Sequence, residues 1–119
     1  MKKVLVVDDS SFVRTYHKSI LQQGNYLSEA ASNGVEALEK SLLCEFDLIL
    51  CDINMLIMDG ITFIKEYRKS GRETPIIIVT SIEEAHQKSI GFQAGANVYV
   101  TKPAEPEILL ENIRMLLGE

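Results

Sequence analysis

Apolar and β-branched residues occur along the chain in five short runs that alternate with longer amphipathic segments. The runs predict strands over residues 3–8, 26–31, 47–51, 75–80 and 97–101. Each run is followed by a stretch of helical length in which apolar residues recur about every 3.6 positions. This alternation of strand and helix predicts an α/β domain built on a parallel sheet.

Three of the predicted strands, at residues 4–7, 48–51 and 76–79, are apolar throughout. A strand has this composition when helices cover both faces of its sheet. Right-handed crossovers then give a doubly wound five-stranded parallel sheet, with a ligand site beyond the carboxyl ends of the strands. The helical stripes are predicted to be core, and they comprise Phe12, Val13, Tyr16, Ile20 and Leu21 in the first helix and Ile108, Leu109, Ile113, Leu116 and Leu117 in the last.

Composition narrows the range of functions. The 119 residues, 46% of them hydrophobic, suit one domain that is predicted to span residues 1–119. A net charge of -5 argues against direct binding to nucleic acid, because such proteins concentrate Lys and Arg on one face. No apolar run approaches the roughly 20 residues of a membrane span, and the N-terminus lacks a signal-peptide pattern. We therefore expect a cytoplasmic protein with no membrane partner.

The cysteines and histidines offer no metal site of their own. Cys44 and Cys51 lack CxxC spacing and are predicted to be buried, reduced thiols. His17 and His86 stand alone in predicted helices, where a surface or partly packed imidazole is the expected environment.

Polar residues follow four of the five predicted strands. They are Asp8 and Asp9 after the first strand, Asp52 after the third, Thr80 and Ser81 after the fourth, and Lys102 after the fifth. Each signal alone is weak, because an Asp or Ser after a strand is commonly a helix N-cap. The carboxyl ends of parallel strands share one edge, so we expect these side chains to converge.

Converging carboxylates need compensation. Each close pair would repel by roughly 4 kcal/mol at an effective dielectric constant of about 20. An all-oxygen site suits Mg²⁺ better than zinc, which prefers Cys and His. With Lys102 as a second positive charge, the group becomes a receptor for a phosphoryl group, and Asp52 is the candidate nucleophile because it stands alone on the middle strand. Spacing alone does not fix that last assignment.

Five segments together resemble one family. They are the run from Val4 to Ser10, residues 52–55, residues 58–60, Thr80-Ser81, and the run from Gly95 to Pro103 that contains Lys102. The combination resembles the receiver domain of two-component response regulators, of the CheY-like type, over almost the whole chain.

The resemblance implies a (βα)5 flavodoxin-like fold with strand order 2-1-3-4-5. It implies that Asp52 accepts a phosphoryl group, and that Mg²⁺ is held by the side chains of Asp9 and Asp52, by the backbone carbonyl of Asn54, and by Asp8 largely through water. The remaining implied roles are phosphoryl contacts for Thr80 and Lys102, a further phosphate contact for Ser81, and a switch formed by Thr80 and Tyr99.

The same resemblance implies a signalling protein without an effector of its own. The phosphoryl donor would be a sensor histidine kinase or a phosphotransfer protein, and output would pass through the surface of the fourth helix, fifth strand and fifth helix. The fourth helix, predicted over residues 84–94, leaves Ile90 and Phe92 off its apolar line, where they could dock a partner. The chain would be a monomer or a phosphorylation-dependent dimer, and beyond self-phosphorylation and slow autodephosphorylation it would not be an enzyme.

Two alternatives remain beside this interpretation. A pseudo-receiver would serve only for docking and would not take up a phosphoryl group. A phosphatase of the haloacid-dehalogenase class also forms an aspartyl phosphate, but the Asp-x-Asp pattern of that class, with a Thr two residues on, is missing from Asp52-Ile53-Asn54-Met55-Leu56.

Two positions bear on the family pattern. Leu56 stands where most receivers have Pro, so the loop regains a backbone N–H and a freer φ. The bond between Lys102 and Pro103 is typically cis in the family.

Overall fold

Five parallel strands alternate with helices in the computed structural model, which describes residues 1–119 apart from the side chain of Ala85. The strands are β1 (Lys3–Val7), β2 (Leu27–Ala31), β3 (Leu48–Cys51), β4 (Ile76–Thr80) and β5 (Val98–Thr101). The helices are α1 (Ser11–Gln23), α2 (Gly34–Leu43), α3 (Gly60–Lys69), α4 (Lys88–Ala94) and α5 (Pro106–Leu117), and a 3₁₀ segment (Ile82–Gln87) precedes α4. Every predicted strand is present, with limits within one residue of those predicted.

The strands form one parallel sheet in the order β2-β1-β3-β4-β5, as the resemblance implied. Val7 at the end of β1 pairs with Cys51 at the end of β3, and Thr80 at the end of β4 pairs with Thr101 at the end of β5. Because all strands run the same way, their carboxyl ends meet at one edge. The residues that follow them are brought together there.

Alternating strand residues supply two separate cores, one on each face of the sheet. One core joins α1 and α5 and includes Val4, Val6, Leu48, Leu50 and Ile77. The other joins α2, α3 and α4 and includes Leu5, Val7, Ile49, Phe63 and Ile78. Helices on both faces explain why residues 4–7 of β1, 48–51 of β3 and 76–79 of β4 are apolar throughout.

The predicted helical stripes are core only in part. Phe12 is 80% exposed and Ile108 is also exposed, so the prediction that they are core is wrong. Phe12 lies outside the buried face of α1, which carries His17, Ile20 and Leu21, and Ile108 lies one position, or about 100° around the helix, before the buried Leu109 of α5. An apolar residue beside the stripe therefore points past the sheet and into solvent.

The fourth helix is shorter than predicted. Its expected first turn, within residues 84–94, belongs to the 3₁₀ segment, and α4 begins only at Lys88. The weak apolar stripe gives this region little to bury, so packing does not favour a continuous α-helix there. Ile90 and Phe92 are exposed, as predicted.

Both cysteines are free thiols, but only Cys51 is buried. Cys44 is half-buried, so for this residue the prediction of burial is wrong; it ends α2 beside Glu29, whose Oε2 accepts from its Sγ at 3.5 Å. Of the helices described, none combines the length and the apolarity that crossing a bilayer requires.

Candidate functional site

Two aspartates extend the sheet ladder by one residue beyond their strands. The Asp8 N–H donates to the Ala31 carbonyl at 3.1 Å, and the Asp52 N–H donates to the Val7 carbonyl at 2.9 Å. Their backbones are therefore fixed by the sheet itself. Asp9 follows Asp8 and is exposed at the rim, whereas Asp8 and Asp52 are buried.

The three carboxylates form a cluster. Asp8, Asp9 and Asp52 each offer an oxygen, and these oxygens lie within 4.8 Å of one another. The predicted convergence at the sheet edge is found, and it follows from the adjacency of β1 and β3.

Lys102 reaches into this cluster from β5, two strands away from β3. Its Nζ lies 2.7 Å from Asp8 Oδ2 and 3.4 Å from Asp52 Oδ2. Two strand spacings amount to about 10 Å, a distance that only a long side chain covers. The Lys102 N–H donates to the Thr80 carbonyl at 2.7 Å, so the sheet also fixes the base of this side chain.

Burial and charge act together on the two central groups. Burial and the nearby Asp8 carboxylate raise the pKa of Asp52, and Lys102, the Thr80 hydroxyl and the Ile53 N–H oppose that rise. The Ile53 N–H donates to Asp52 Oδ1 at 2.9 Å. Burial alone would lower the pKa of Lys102, but Asp8 and Asp52 outweigh it and raise that pKa. The site thus holds more negative charge than one ammonium group balances.

The donor set fits a magnesium ion. Mg²⁺ prefers oxygen ligands and retains several waters, so one or two carboxylates with nearby carbonyl groups suffice. The cluster offers three carboxylates, two of them buried and one at the solvent edge. No Cys or His of the described residues joins it, which excludes the usual zinc ligand sets here.

Comparison with known proteins identifies the family. The family model described as "Response regulator receiver domain" matches residues 4–114. The chain belongs to this family. Receiver domains of two-component response regulators are in general phospho-signalling switches, and this chain is one of them.

Curated relatives of two kinds align with the receiver. It is 37% identical over 115 residues to the transcriptional regulatory protein ResD of Bacillus subtilis. The aligned region covers 97% of this chain and 48% of ResD. It is 36% identical over 116 residues to the chemotaxis protein CheY of Halobacterium salinarum. The aligned region covers 98% of this chain and 97% of that CheY. The chain thus spans about half the length of ResD and nearly all of CheY.

Solved structures agree with this fold. The receiver superimposes on the chemotaxis protein CheY4 of Vibrio cholerae with a TM-score of 0.92 at 38% identity, covering 98% of this chain and 99% of that one. It superimposes on the BeF3-activated DrrB receiver domain with a TM-score of 0.89 at 28% identity, covering 100% and 99% of the two chains.

The loop after Asp52 returns closely on itself to begin α3. The Gly60 N–H donates to the Ile53 carbonyl at 2.8 Å, and the Asp59 side chain caps α3 by accepting from the Thr62 N–H at 2.8 Å. At its tip the Met58 N–H donates to the Leu56 carbonyl, and Ile57 between them has a φ of 73°. This is the pattern of a γ-turn, which is strained for a β-branched residue. Both Leu56 and Ile57 are exposed.

Asn54 lies in this loop and faces the 3₁₀ segment. Its side-chain amide donates to Glu84 Oε1 at 3.1 Å. The role expected of its backbone carbonyl remains a prediction. Thr80 is buried at the end of β4, and Ser81 follows it half-buried, with its carbonyl accepting from the Glu84 N–H at 3.1 Å.

Tyr99 lies half-buried on β5 and packs against the core that joins α2, α3 and α4. Its hydroxyl is shielded from solvent and has no hydrogen-bond partner among the described residues. The Lys88 Nζ lies 5.7 Å from the centroid of its ring and 6.0 Å from that of Phe92. A buried hydroxyl without a hydrogen-bond partner costs free energy. A movement that gave the Tyr99 hydroxyl a partner or exposed it to water would therefore remove that cost.

Several side chains beside the site were not predicted. The Arg14 guanidinium of α1 donates to the Asp8 carbonyl at 2.6 Å, and the Tyr16 hydroxyl donates to the Ala104 carbonyl at 2.8 Å. His17 is only 2% exposed, so the prediction of a surface or partly packed imidazole is wrong. The only sequence signal was the position of these three residues on the first two turns after Asp8 and Asp9.

The burial of His17 makes stability depend on pH. Burial lowers its pKa from 6.5 to about 4, with Asp8 opposing and Lys102 adding to the effect. The unfolded chain therefore binds a proton at a higher pH than the folded chain, so folding stability is full above pH 6.5 and falls as the pH drops toward 4.

We expect the contribution of His17 to reduce the free energy of unfolding by on the order of 3 kcal/mol between pH 7 and pH 4. This contribution should be absent in His17→Leu. Urea unfolding of the parent and the variant across this range measures it as a difference, so the acidic groups common to both cancel. His86 is exposed, and His86→Leu is the matched variant, expected to keep the loss. Parallel pH curves for the parent and His17→Leu would contradict the prediction.

Proposed function

We propose that the receiver accepts a phosphoryl group from a histidine side chain of a sensor kinase or a phosphotransfer protein onto Asp52, with Mg²⁺. The observation that carries this proposal is the convergence of Asp8, Asp9 and Asp52 with the Lys102 ammonium on one sheet edge. An Asp52 oxygen forms a bond to phosphorus as the bond from phosphorus to the donor nitrogen breaks, and the nitrogen keeps the electron pair. The product is an acyl phosphate.

Different residues around Asp52 would stabilise this transfer in different ways. Asp8, Asp9 and Asp52 would hold Mg²⁺, together with the Asn54 carbonyl, and bound Mg²⁺ neutralises phosphoryl charge. The Lys102 ammonium, already between two carboxylates, offers a second positive contact to the phosphoryl oxygens. The Thr80 hydroxyl at the end of β4 would serve as a hydrogen-bond donor, with Ser81 beside it.

We infer that output passes through the surface of α4, β5 and α5. Phosphorylation adds about -1.5 to -2 charges at Asp52 and new acceptor oxygens for Thr80. Movement of the Thr80 hydroxyl toward them would open space for Tyr99, whose own hydroxyl is unpartnered among the described residues. Ile90 and Phe92 on α4 and Met115 on α5 are exposed apolar residues that a partner would cover.

This function is that of a switch without turnover of an external substrate, apart from self-phosphorylation and slow hydrolysis. ResD-like relatives are about twice as long as this chain, and their names describe transcriptional regulators. For this chain we propose protein partners and no direct contact with nucleic acid, in keeping with its net charge of -5.

The direct test is to incubate the parent with a small acyl phosphate and Mg²⁺ and to count phosphoryl groups by intact-protein mass spectrometry. We expect one group on the parent and none on Asp52→Asn or after chelation of Mg²⁺. Asp47→Asn is the matched control, because Asp47 is an exposed carboxylate that also accepts a backbone N–H, from Lys3 at 2.8 Å. Absence of labelling in the parent would favour a docking module instead.

The switch is tested by NMR titration with beryllium fluoride in the presence of Mg²⁺. We expect saturable shifts at Tyr99 and along α4 in the parent and none in Asp52→Asn. A solved receiver structure, that of DrrB, is described as BeF3-activated, which supports the choice of probe. Identical responses of the parent and Asp52→Asn would remove Asp52 from the switch.

A further inference from the structure

A hydrogen bond ties α1 to the loop that carries Lys102. The Tyr16 hydroxyl donates to the Ala104 carbonyl at 2.8 Å, and the two residues are 88 positions apart in the chain. Tyr16 is half-buried, and Ala104 is almost completely buried against the core that joins α1 and α5. A buried carbonyl without a donor costs free energy, so this bond stabilises one position of the loop.

The loop, residues 102–105, connects β5 to α5 and is held at both ends. On the side of the sheet, the Lys102 N–H donates to the Thr80 carbonyl at 2.7 Å. Two residues later, the Tyr16 hydroxyl holds the Ala104 carbonyl. Tyr16, Lys102, Pro103 and Ala104 also line one groove beside α1. The direction in which the Lys102 side chain leaves the backbone is thus set between these two attachments.

Lys102 depends on such a constraint more than its neighbours do. A lysine side chain has many rotamers to lose when it is held in one position, and its ammonium imposes no fixed geometry on its partners. Lys102 must nevertheless hold its Nζ near both Asp8 and Asp52, from a backbone two strands away from Asp52. A shift of the loop by a fraction of the 3.4 Å separation from Asp52 would change how the ammonium meets a phosphoryl group.

We propose that Tyr16 is a positioning residue for phosphoryl transfer, which acts through the Ala104 carbonyl on the placement of the Lys102 ammonium. This inference rests on the proposed function of Asp52 as phosphoryl acceptor. Tyr16 does not touch the reacting atoms, and its hydroxyl contributes through the loop alone.

The test compares Tyr16→Phe with Tyr26→Phe. Each change removes one phenolic hydroxyl from a hydrogen bond, and Tyr26 donates to Glu119 Oε1 at 2.7 Å, away from the acidic cluster. Phosphorylation is measured with a small acyl phosphate, which needs no docked partner. We expect the rate to fall about three- to tenfold in Tyr16→Phe and to stay within about twofold of the parent in Tyr26→Phe.

The affinity for Mg²⁺ alone separates positioning from general disturbance of the site. The metal would be held by carboxylates and not by Lys102, so Tyr16→Phe should bind Mg²⁺ as the parent does while it phosphorylates more slowly. A phosphorylation rate equal to that of the parent, an equal slowing in Tyr26→Phe, or a parallel loss of Mg²⁺ affinity would each overturn the proposal. If the parent itself takes no label on Asp52, the proposed function has failed, which the parent sample alone reveals.

Discussion

Gly60→Ala is expected to destabilise the receiver by about 2–3 kcal/mol and to slow phosphorylation of Asp52. A Cβ at this position would lie 1.9 Å from the Asp52 carbonyl oxygen and 3.0 Å from Ile53 Cα. Both are backbone atoms, and the Asp52 backbone is part of the sheet ladder. Relief requires the start of α3 to move outward, which stretches the bond from the Gly60 N–H to the Ile53 carbonyl at 2.8 Å.

Gly91→Ala provides the matched control for this change. Gly91 lies inside α4, where replacing Gly by Ala gains about 1 kcal/mol in helix propensity, whereas Gly60 is the first residue of α3 and gains less. Its added Cβ would meet Ile78 Cδ1 at 2.5 Å, and this atom is the end of a side chain and not part of the backbone. Urea unfolding followed by circular dichroism measures both variants. Equal stability of the two variants would contradict the prediction. It would mean that the backbone near Asp52 can move away from the added Cβ at little cost in free energy.

The fold could be predicted because its strongest signals are local and repeated. The apolar runs of β1, β3 and β4 can only be buried between two layers of helices, and the alternation of strand and helix leaves a parallel sheet. The convergence of Asp8, Asp9, Asp52 and Lys102 then follows from topology, because residues after parallel strands share an edge. Strand order itself came from the family resemblance.

The features that were missed depend on contacts between distant segments. The pairing of Tyr16 with Ala104 joins residues 88 positions apart, and nothing near either residue indicates it. The burial of His17 depends on how α1 packs beside the loop of Lys102, and an isolated histidine in an amphipathic pattern does not show this. Ile57 adopts a positive φ that its own β-branched side chain disfavours, so local propensity points away from the observed turn.

The acidic cluster shows why a stable fold and a reactive site compete in this protein. Asp8 and Asp52 are both buried, and only the Lys102 ammonium lies close enough, among the described residues, to form salt bridges with them. The raised pKa of Asp52 means that folding penalises its charged form. The same unbalanced negative charge is what attracts a divalent cation. The buried carboxylates therefore favour binding of Mg²⁺, and they destabilise the folded protein when no metal is bound.

We expect Asp52→Asn to raise the free energy of unfolding by about 1 kcal/mol at neutral pH in metal-free buffer, while phosphorylation is lost completely. The asparagine Oδ1 can still accept from the Ile53 N–H, which donates to Asp52 Oδ1 at 2.9 Å. The Lys102 ammonium keeps Asp8 as a partner at 2.7 Å. What the variant loses is a buried charge beside another carboxylate, and what it keeps is the packing and the backbone contact.

The difference in free energy of unfolding between Asp52→Asn and the parent should depend on pH, and the direction of that dependence tests the prediction. Because burial and Asp8 raise the folded-state pKa of Asp52, the penalty begins above the unfolded-state pKa, grows with pH and is full above the folded-state pKa. The advantage of Asp52→Asn over the parent should therefore be largest above the raised pKa and shrink as the pH falls from there toward the unfolded-state pKa, and Mg²⁺ should stabilise the parent more than the variant. Asp47→Asn, with its acceptor for the Lys3 N–H retained, should show neither effect. A variant less stable than the parent at pH 7 would mean that the contacts of the Asp52 carboxylate with Lys102 and Thr80 outweigh its burial and its repulsion from Asp8.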